Sequence, residues 1–268
     1  MRNWPKQGWQ DIQSIRDTHP LIHNITNLVV MNWTANILLS MGASPVMAHS
    51  MEEVEEMVGF AGALVLNIGT LTPDWVQAMI AAGRAANARG VPVVLDPVGA
   101  GATRLRTASS HAIMAAVKLA VIRGNGAEIL ALAGDNAAIR GVDSLQDAEA
   151  AGAAAKRMAA ELGTVLAITG RVDVVTDGRR LYRIANGHPM MTRVTGTGCA
   201  ATAVTAAFCA VNPDFLAAAV EGLACFGVAG ELAAARARGP GSFQVELLDA
   251  LAEVDEDMLD TRLQVSDE

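Results

Sequence analysis

The sequence predicts an α/β protein built on a mostly parallel sheet with helices on both faces. Three observations carry that expectation. Short β-rich apolar runs alternate with stretches of helical period. Each of several such runs ends in a polar or glycine cluster. The last leads into a pair of glycines followed by a long Ala-rich apolar segment. Alternating strands and helices fold as crossover units around a parallel sheet. In such sheets ligands gather at the carboxyl ends of the strands.

Along the chain, residues 21–36 come first. They interleave His23, Asn24, Thr26, Asn27, Asn32 and Asn36 with apolar residues. Such amides can orient a small polar ligand or can cap helices and close turns, and both readings stand. Gly42-Ala43-Ser44-Pro45-Val46-Met47 reads as a loop leading into a short strand. Met47 is polarizable and can pack on a flat heteroaromatic ring, or simply fill core. Residues 52–60 read as an acidic amphipathic helix with a solvated face.

The strand runs follow. Residues 63–66 lead into Asn67-Ile68-Gly69-Thr70, and 73–89 have helical period. Residues 91–95 lead into Asp96-Pro97-Val98-Gly99-Ala100-Gly101. Residues 119–122 lead into Arg123-Gly124-Asn125, and 165–168 into Thr169-Gly170. A meander is expected next, with strands at 172–175, 181–184 and 190–194 separated by the hairpin signals Asp177-Gly178 and Asn186-Gly187. Its last strand would deliver the chain into the glycine loop. Residues 200–237 read as helical with a break near Asn212-Pro213, and a turn is expected at Gly239-Pro240-Gly241.

Size and composition set bounds. A chain of 268 residues, 51% hydrophobic, can bury one large core. No linker or low-complexity tract divides it, so residues 1–268 are expected to form one domain. The formal net charge of −8 argues against a nucleic-acid partner, which needs clustered Lys and Arg. The N-terminus lacks the apolar stretch of a signal peptide, and no apolar run reads as long and clean enough to span a bilayer. Cys199, Cys209 and Cys225 are odd in number and lack metal-site spacing, which fits a reducing, cytoplasmic setting.

The segment Val194-Thr195-Gly196-Thr197-Gly198-Cys199-Ala200 is the most informative. Glycines before a helix start can aim backbone N–H groups at an anion. A Walker-type loop needs a lysine directly after its last glycine. The lysines here are Lys6, Lys118 and Lys156, none of them near. A dinucleotide fingerprint needs a second strand carrying an acid about 20 residues on, and the sequence turns helical instead. A lysine-free anion hole for phosphoryl transfer remains, against the plain alternative of a glycine turn packed on a helix.

Asp96 and Glu128 could together hold Mg²⁺, which is usually bound through one or two carboxylates, water and substrate phosphates. The plain readings are a turn acid before Pro97 and a helix N-terminal acid. Arg123 offers a donor fork for phosphate oxygens or a surface ion pair. Thr169 can bind a phosphate or cap a helix. Cys199 has two readings. At a helix N-terminus its pKa can be lowered, making it a base or nucleophile. Alternatively it is a small buried apolar residue.

The ordered set resembles the hydroxyethylthiazole kinase family of the ribokinase-like superfamily. The residues that carry the likeness are His23-Asn24-Ile25-Thr26-Asn27, Gly42 to Met47, Leu66 to Thr70, Asp96 to Thr103, Arg123-Gly124-Asn125, Ile168-Thr169-Gly170, Val194 to Cys199 and Gly239-Pro240-Gly241-Ser242-Phe243. The resemblance implies a three-layer α/β/α ribokinase-like fold and transfer of the ATP γ-phosphate to 4-methyl-5-(2-hydroxyethyl)thiazole. It implies Mg²⁺ and a homotrimer with sites between subunits. By motif, Met47, Gly196 and Asn27 would bind the thiazole. Arg123, Thr169, Asn125 and Gly198 would bind ATP, and Asp96 and Glu128 the metal. Cys199 would stand where other ribokinase-like enzymes place an aspartate base. That cysteine argues against a pyrimidine kinase or a hydrate dehydratase, and the retained Asp96, Glu128 and Arg123 argue against a non-catalytic binder. The chain departs from the family pattern at Thr197, where Ala is expected.

Overall fold

Strand and helix alternate from the N-terminus in the computed structural model, which describes residues 2–134 and 145–267. Helix α1 (Trp4–Thr18) starts where Asn3 accepts the Lys6 N–H and Pro5 sits in the first turn. It is followed by β1 (Leu21–Ile25), α2 (Met31–Ser40), β2 (Ser44–Val46) and the one-turn α3 (Val54–Met57). Next come β3 (Ala63–Asn67) and α4 (Pro73–Arg89). The latter opens on the Thr72 hydroxyl and stops at Gly90, whose φ of 72° a side chain would resist. Then β4 (Val93–Asp96), α5 (Arg104–Ala116), β5 (Val121–Asn125) and α6 (Gly126–Leu132) follow. Helix α7 (Leu145–Leu162), β6 (Val165–Thr169), β7 (Asp173–Thr176) and β8 (Leu181–Ile184) complete the middle of the chain. The last part holds α8 (Thr197–Val211), α9 (Phe215–Arg236), α10 (Pro240–Glu253), α11 (Glu256–Arg262) and β9 (Val265–Asp267).

The sheet runs β2-β1-β3-β4-β5-β6-β7-β8-β9. It is parallel from β2 through β6, and β7, β8 and β9 continue it antiparallel. Strand alternation divides the core into two layers. Ala63, Val65, Val121, Val165 and Ala167 face α1, α2, α8, α9 and α10. Leu64, Leu66, Ile122, Leu166 and Ile168 face the other way, toward α4, α5 and α7. The three-layer α/β/α architecture is therefore the observed one.

Four details differ from the sequence reading. Residues 190–194 form no strand, because Pro189–Arg193 is a 3-10 helix. Pro189 has no N–H for a ladder, and His188 Nδ1 takes the Met190 N–H to start the turn instead. The 52–60 segment splits into α3 and the 3-10 turn Val58–Phe60. The C-terminal third, whose sequence reads as helical throughout apart from the turn at Gly239-Pro240-Gly241, also holds a strand, since β9 pairs with β8. Finally, α9 is long and apolar enough by composition to cross a membrane, and 89% of its most apolar window is buried inside the protein. It is a core helix, packed mainly against α8 and α10.

Candidate functional site

Polar side chains from the ends of five strands, β1, β3, β4, β5 and β6, gather near the start of α8. The Asn27 Nδ2, just past β1, donates to Asn67 Oδ1 at the end of β3 (2.9 Å) and to Cys199 Sγ (3.5 Å). The Asn67 Nδ2 in turn donates to Asp96 Oδ2 at the end of β4 (2.9 Å). Thr202 Oγ1, one turn into α8, donates to that same carboxylate oxygen (2.8 Å). The parallel register explains the alignment, since Asn67 and Asp96 are direct partners across β3 and β4. Asn125 and Thr169 are likewise partners across β5 and β6.

Asp96 is 1% exposed, and its Oδ1 has no hydrogen-bond partner among the described residues. Burial pushes its pKa up to about 6, against the opposing pull of Arg123 and of the hydrogen bonds from Thr202 and Asn67. The Arg123 Nη1 lies 3.9 Å from Asp96 Oδ2, and its Nη2 donates to the Thr169 hydroxyl. Arg123 Nε is buried and has no hydrogen-bond partner among the described residues. The guanidinium also lies against the first turn of α8. A Cβ placed on Gly198 would be 2.8 Å from Arg123 Nη1, so only glycine allows this approach.

Helix α8 begins without a side-chain cap. Gly196 holds φ 81°, and a Cβ there would meet Val30 (2.7 Å) and Trp33 (3.0 Å). The first N–H groups of the helix are thus left open beside Arg123, with the positive end of its dipole behind them. This is the geometry expected for an anion hole.

Glu128 is held by backbone on both sides. Its Oε1 accepts the Gly99 N–H and its Oε2 the Asn125 N–H (both 2.8 Å), while Asn125 Oδ1 accepts the Glu128 N–H (2.9 Å). That capping box starts α6 and ties it to the loop after β4. The helix-acid reading of Glu128 is therefore real. A carboxylate retains further lone pairs, so the box does not exhaust it. Among the described residues there is no cluster of three or more His, Cys, Asp or Glu that would cage a metal. The orphaned Asp96 oxygen, with Glu128 near enough to raise its pKa, fits a Mg²⁺ ion held mainly by water and phosphate.

Cys199 corrects one expectation. Its position at a helix N-terminus does not lower its pKa. Burial, then the neighbouring Asp96 charge, push the thiol up to about 11. It is a neutral thiol, accepting from Asn27, and not a ready base. Met47 lies one residue past β2, on the outermost strand of the sheet, with β1 between it and the Asn67–Asp96 pair.

Sequence reasoning missed three supports. Thr202 orients Asp96 from a helix position whose role is visible only in three dimensions. Arg106 donates to the backbone carbonyls of Ile68 (3.2 Å), Val98 (2.7 Å) and Gly69 (2.7 Å), clamping the loops after β3 and β4 together. Asp173, at the start of β7, lines the neighbouring cavity. That cavity, about 750 Å³, opens beside Arg123, Thr169 and Gly198 and continues to Val172, Met191 and Phe226.

Known proteins are similar to this chain in sequence and in fold. The hydroxyethylthiazole kinase family matches residues 12–257. A hydroxyethylthiazole kinase from Desulfotalea psychrophila is 55% identical over 97% of this chain and 95% of its own length. The solved hydroxyethylthiazole kinase of Pyrococcus horikoshii superposes with a TM-score of 0.91 at 45% identity, covering 98% of this chain and 99% of that one. A pyridoxal kinase from Staphylococcus aureus, solved with AMP-PCP and pyridoxal, has a TM-score of 0.58 at 14% identity over 80% of this chain and 88% of its own, which shows a shared fold alone. The chain belongs to the hydroxyethylthiazole kinase family.

Proposed function

We propose that this protein transfers the γ-phosphoryl group of ATP to the primary hydroxyl of 4-methyl-5-(2-hydroxyethyl)thiazole. The observation that carries the proposal is the meeting of Asp96, Arg123, Thr169 and the uncapped start of α8 at the carboxyl end of the sheet. Phosphoryl transfer is mostly positioning and charge stabilisation, and these groups are suited to both.

In this reading Arg123 and Thr169 grip phosphate oxygens, and the N–H groups around Gly198 face the transferred group. Asn125 supplies its side-chain NH₂, because its oxygen is already engaged in the α6 cap. Asp96 and Glu128 would hold Mg²⁺, which neutralises phosphate charge when bound. Asn27, Gly196 and Met47 form the thiazole side, with Asn27 fixed by Asn67 and Gly196 set where Val30 and Trp33 leave no room for a side chain. Cys199 stands beside Asn27 as a neutral thiol that orients the attacking hydroxyl. The alcohol proton leaves late in a loose transition state, so a strong base is not required. Met47 follows an edge strand, and the exposed Leu28, Val29 and Met51 support the homotrimer that the family likeness suggests. A cytoplasmic setting suits three free cysteines.

The test compares ADP release with the thiazole alcohol, with the same thiazole lacking its hydroxyl, and with pyridoxal. The proposal expects release with the first alone. Equal release with all three would mean simple ATP hydrolysis and would remove it.

A further inference from the structure

We infer that Asp173 reads the nucleoside, accepting a hydrogen bond from a ribose hydroxyl of the bound nucleotide. The inference rests on the nucleotide-dependent reading of the site and adds a specificity residue to it. Asp173 opens β7, four residues beyond Thr169, and lines the cavity next to Arg123 and Gly198. Its Oδ1 accepts the Gly170 N–H at 2.9 Å, which fixes the side chain and the turn after β6. Its second oxygen accepts no hydrogen bond from a described residue and is not among the sealed, unpartnered atoms of the interior.

The chemistry of that oxygen is one-sided. An ionised carboxylate only accepts, so it favours O–H and N–H donors and repels phosphate. The triphosphate is drawn instead to Arg123 and the start of α8. A nucleotide anchored there extends its sugar into the cavity, whose lining also includes the apolar Val172, Met191, Leu223 and Phe226. That apolar wall suits the base and leaves Asp173 to the sugar. Burial pushes the Asp173 pKa up to about 6, with the Gly170 hydrogen bond and Arg123 pulling the other way. The group is therefore charged at neutral pH.

The test measures nucleotide affinity by calorimetry and steady-state kinetics on the full chain, using ATP, 2′-deoxy-ATP, 3′-deoxy-ATP and the triphosphate lacking the 6-amino group. Asp173→Asn keeps an oxygen for Gly170 and turns the second acceptor into a donor. Asp173→Ala removes both. The inference expects Asp173→Asn to weaken ATP about tenfold, on Kd and KM rather than on kcat. It expects one deoxy analogue to bind the wild type equally weakly and to lose nothing more in the variant. If Asn matches wild type and only Ala loses affinity, Asp173 merely holds the turn and the inference falls. It falls also if the loss tracks the 6-amino group. A protein that binds ATP without transferring phosphate would overturn the kinase reading while leaving this binding test intact. One that binds no nucleotide would overturn both.

Discussion

A cavity of about 620 Å³ opens at the amino ends of β4, β5 and β6, and one of about 750 Å³ at the carboxyl ends of β5 and β6, at the same end of the sheet as Asp96. The two differ in what their polar groups are doing. At the amino end the fold uses them. Asn87 pairs both ways with the Lys118 backbone (2.8 and 2.7 Å). The Thr164 hydroxyl donates to Leu119 O, and Asp177 takes the Arg179 and Arg180 N–H groups and the Arg180 side chain. At the carboxyl end, among the described residues, Asp96 Oδ1 and Arg123 Nε stay unpartnered, and α8 starts without a side-chain cap. Leaving a buried polar group unsatisfied costs about 1–3 kcal/mol. Such a cost persists where a ligand offsets it. Cavity size alone does not separate the two ends, but unpartnered polarity does.

The sharpest way to break this contrast is Asp96→Asn. The asparagine oxygen can still accept from Asn67 and Thr202, so the network survives while the charge is lost. Turnover should fall by at least about a hundredfold. Stability should move the other way. The folded pKa of about 6 lies above the ordinary 3.8, so ionising Asp96 opposes folding and the wild type loses stability as pH rises from 4 to 6. Without nucleotide or metal, the variant should gain about 1–3 kcal/mol over wild type at pH 7.5 and little at pH 4. A thermal melt at both values checks this, and a destabilised variant at pH 7.5 would undo the contrast.

Gly198→Val comes next. Its side chain would displace Arg123 from the helix start, and kcat should drop about a hundredfold with the fold intact by circular dichroism. An unchanged kcat would refute the anion hole. Cys199→Ala should cost only about fivefold in kcat, because a thiol with pKa near 11 is no base at neutral pH. The same pKa predicts slow alkylation by iodoacetamide at pH 8, with a rate still climbing at pH 10. A plateau near pH 7 would restore the thiolate reading. Smallest in activity is Asn87→Ala at the amino end. It should lower stability by about 1–3 kcal/mol through the two lost backbone partners and leave kcat/KM unchanged.

The fold was largely legible because strand runs and polar strand ends are local signals. Asn67, Asp96, Arg123 and Thr169 stand directly after or within apolar runs, and the parallel register then aligns them. What was not legible is non-local. The pKa of Cys199 follows from burial and from Asp96, 103 positions away in sequence, which outweigh the lowering by Asn67, Asn27 and Arg123, and none of these partners is visible in the local sequence. Thr202 looked like one more residue of an apolar helix until the sheet brought Asp96 to it. The Arg106 clamp rests on backbone carbonyls, which no side-chain pattern encodes. The strand expected at 190–194 failed because Pro189 removes a ladder donor, a signal present in the sequence but outweighed by the apolar run.

The most direct measurement is phosphorus NMR of the protein with ATP, Mg²⁺ and the thiazole alcohol. A phosphomonoester resonance should grow in step with ADP, at a rate set by wild-type kcat and nearly absent with Gly198→Val. Inorganic phosphate appearing in its place, or an equal ester signal from the valine variant, would contradict the assignment of the carboxyl end of the sheet as the seat of phosphoryl transfer.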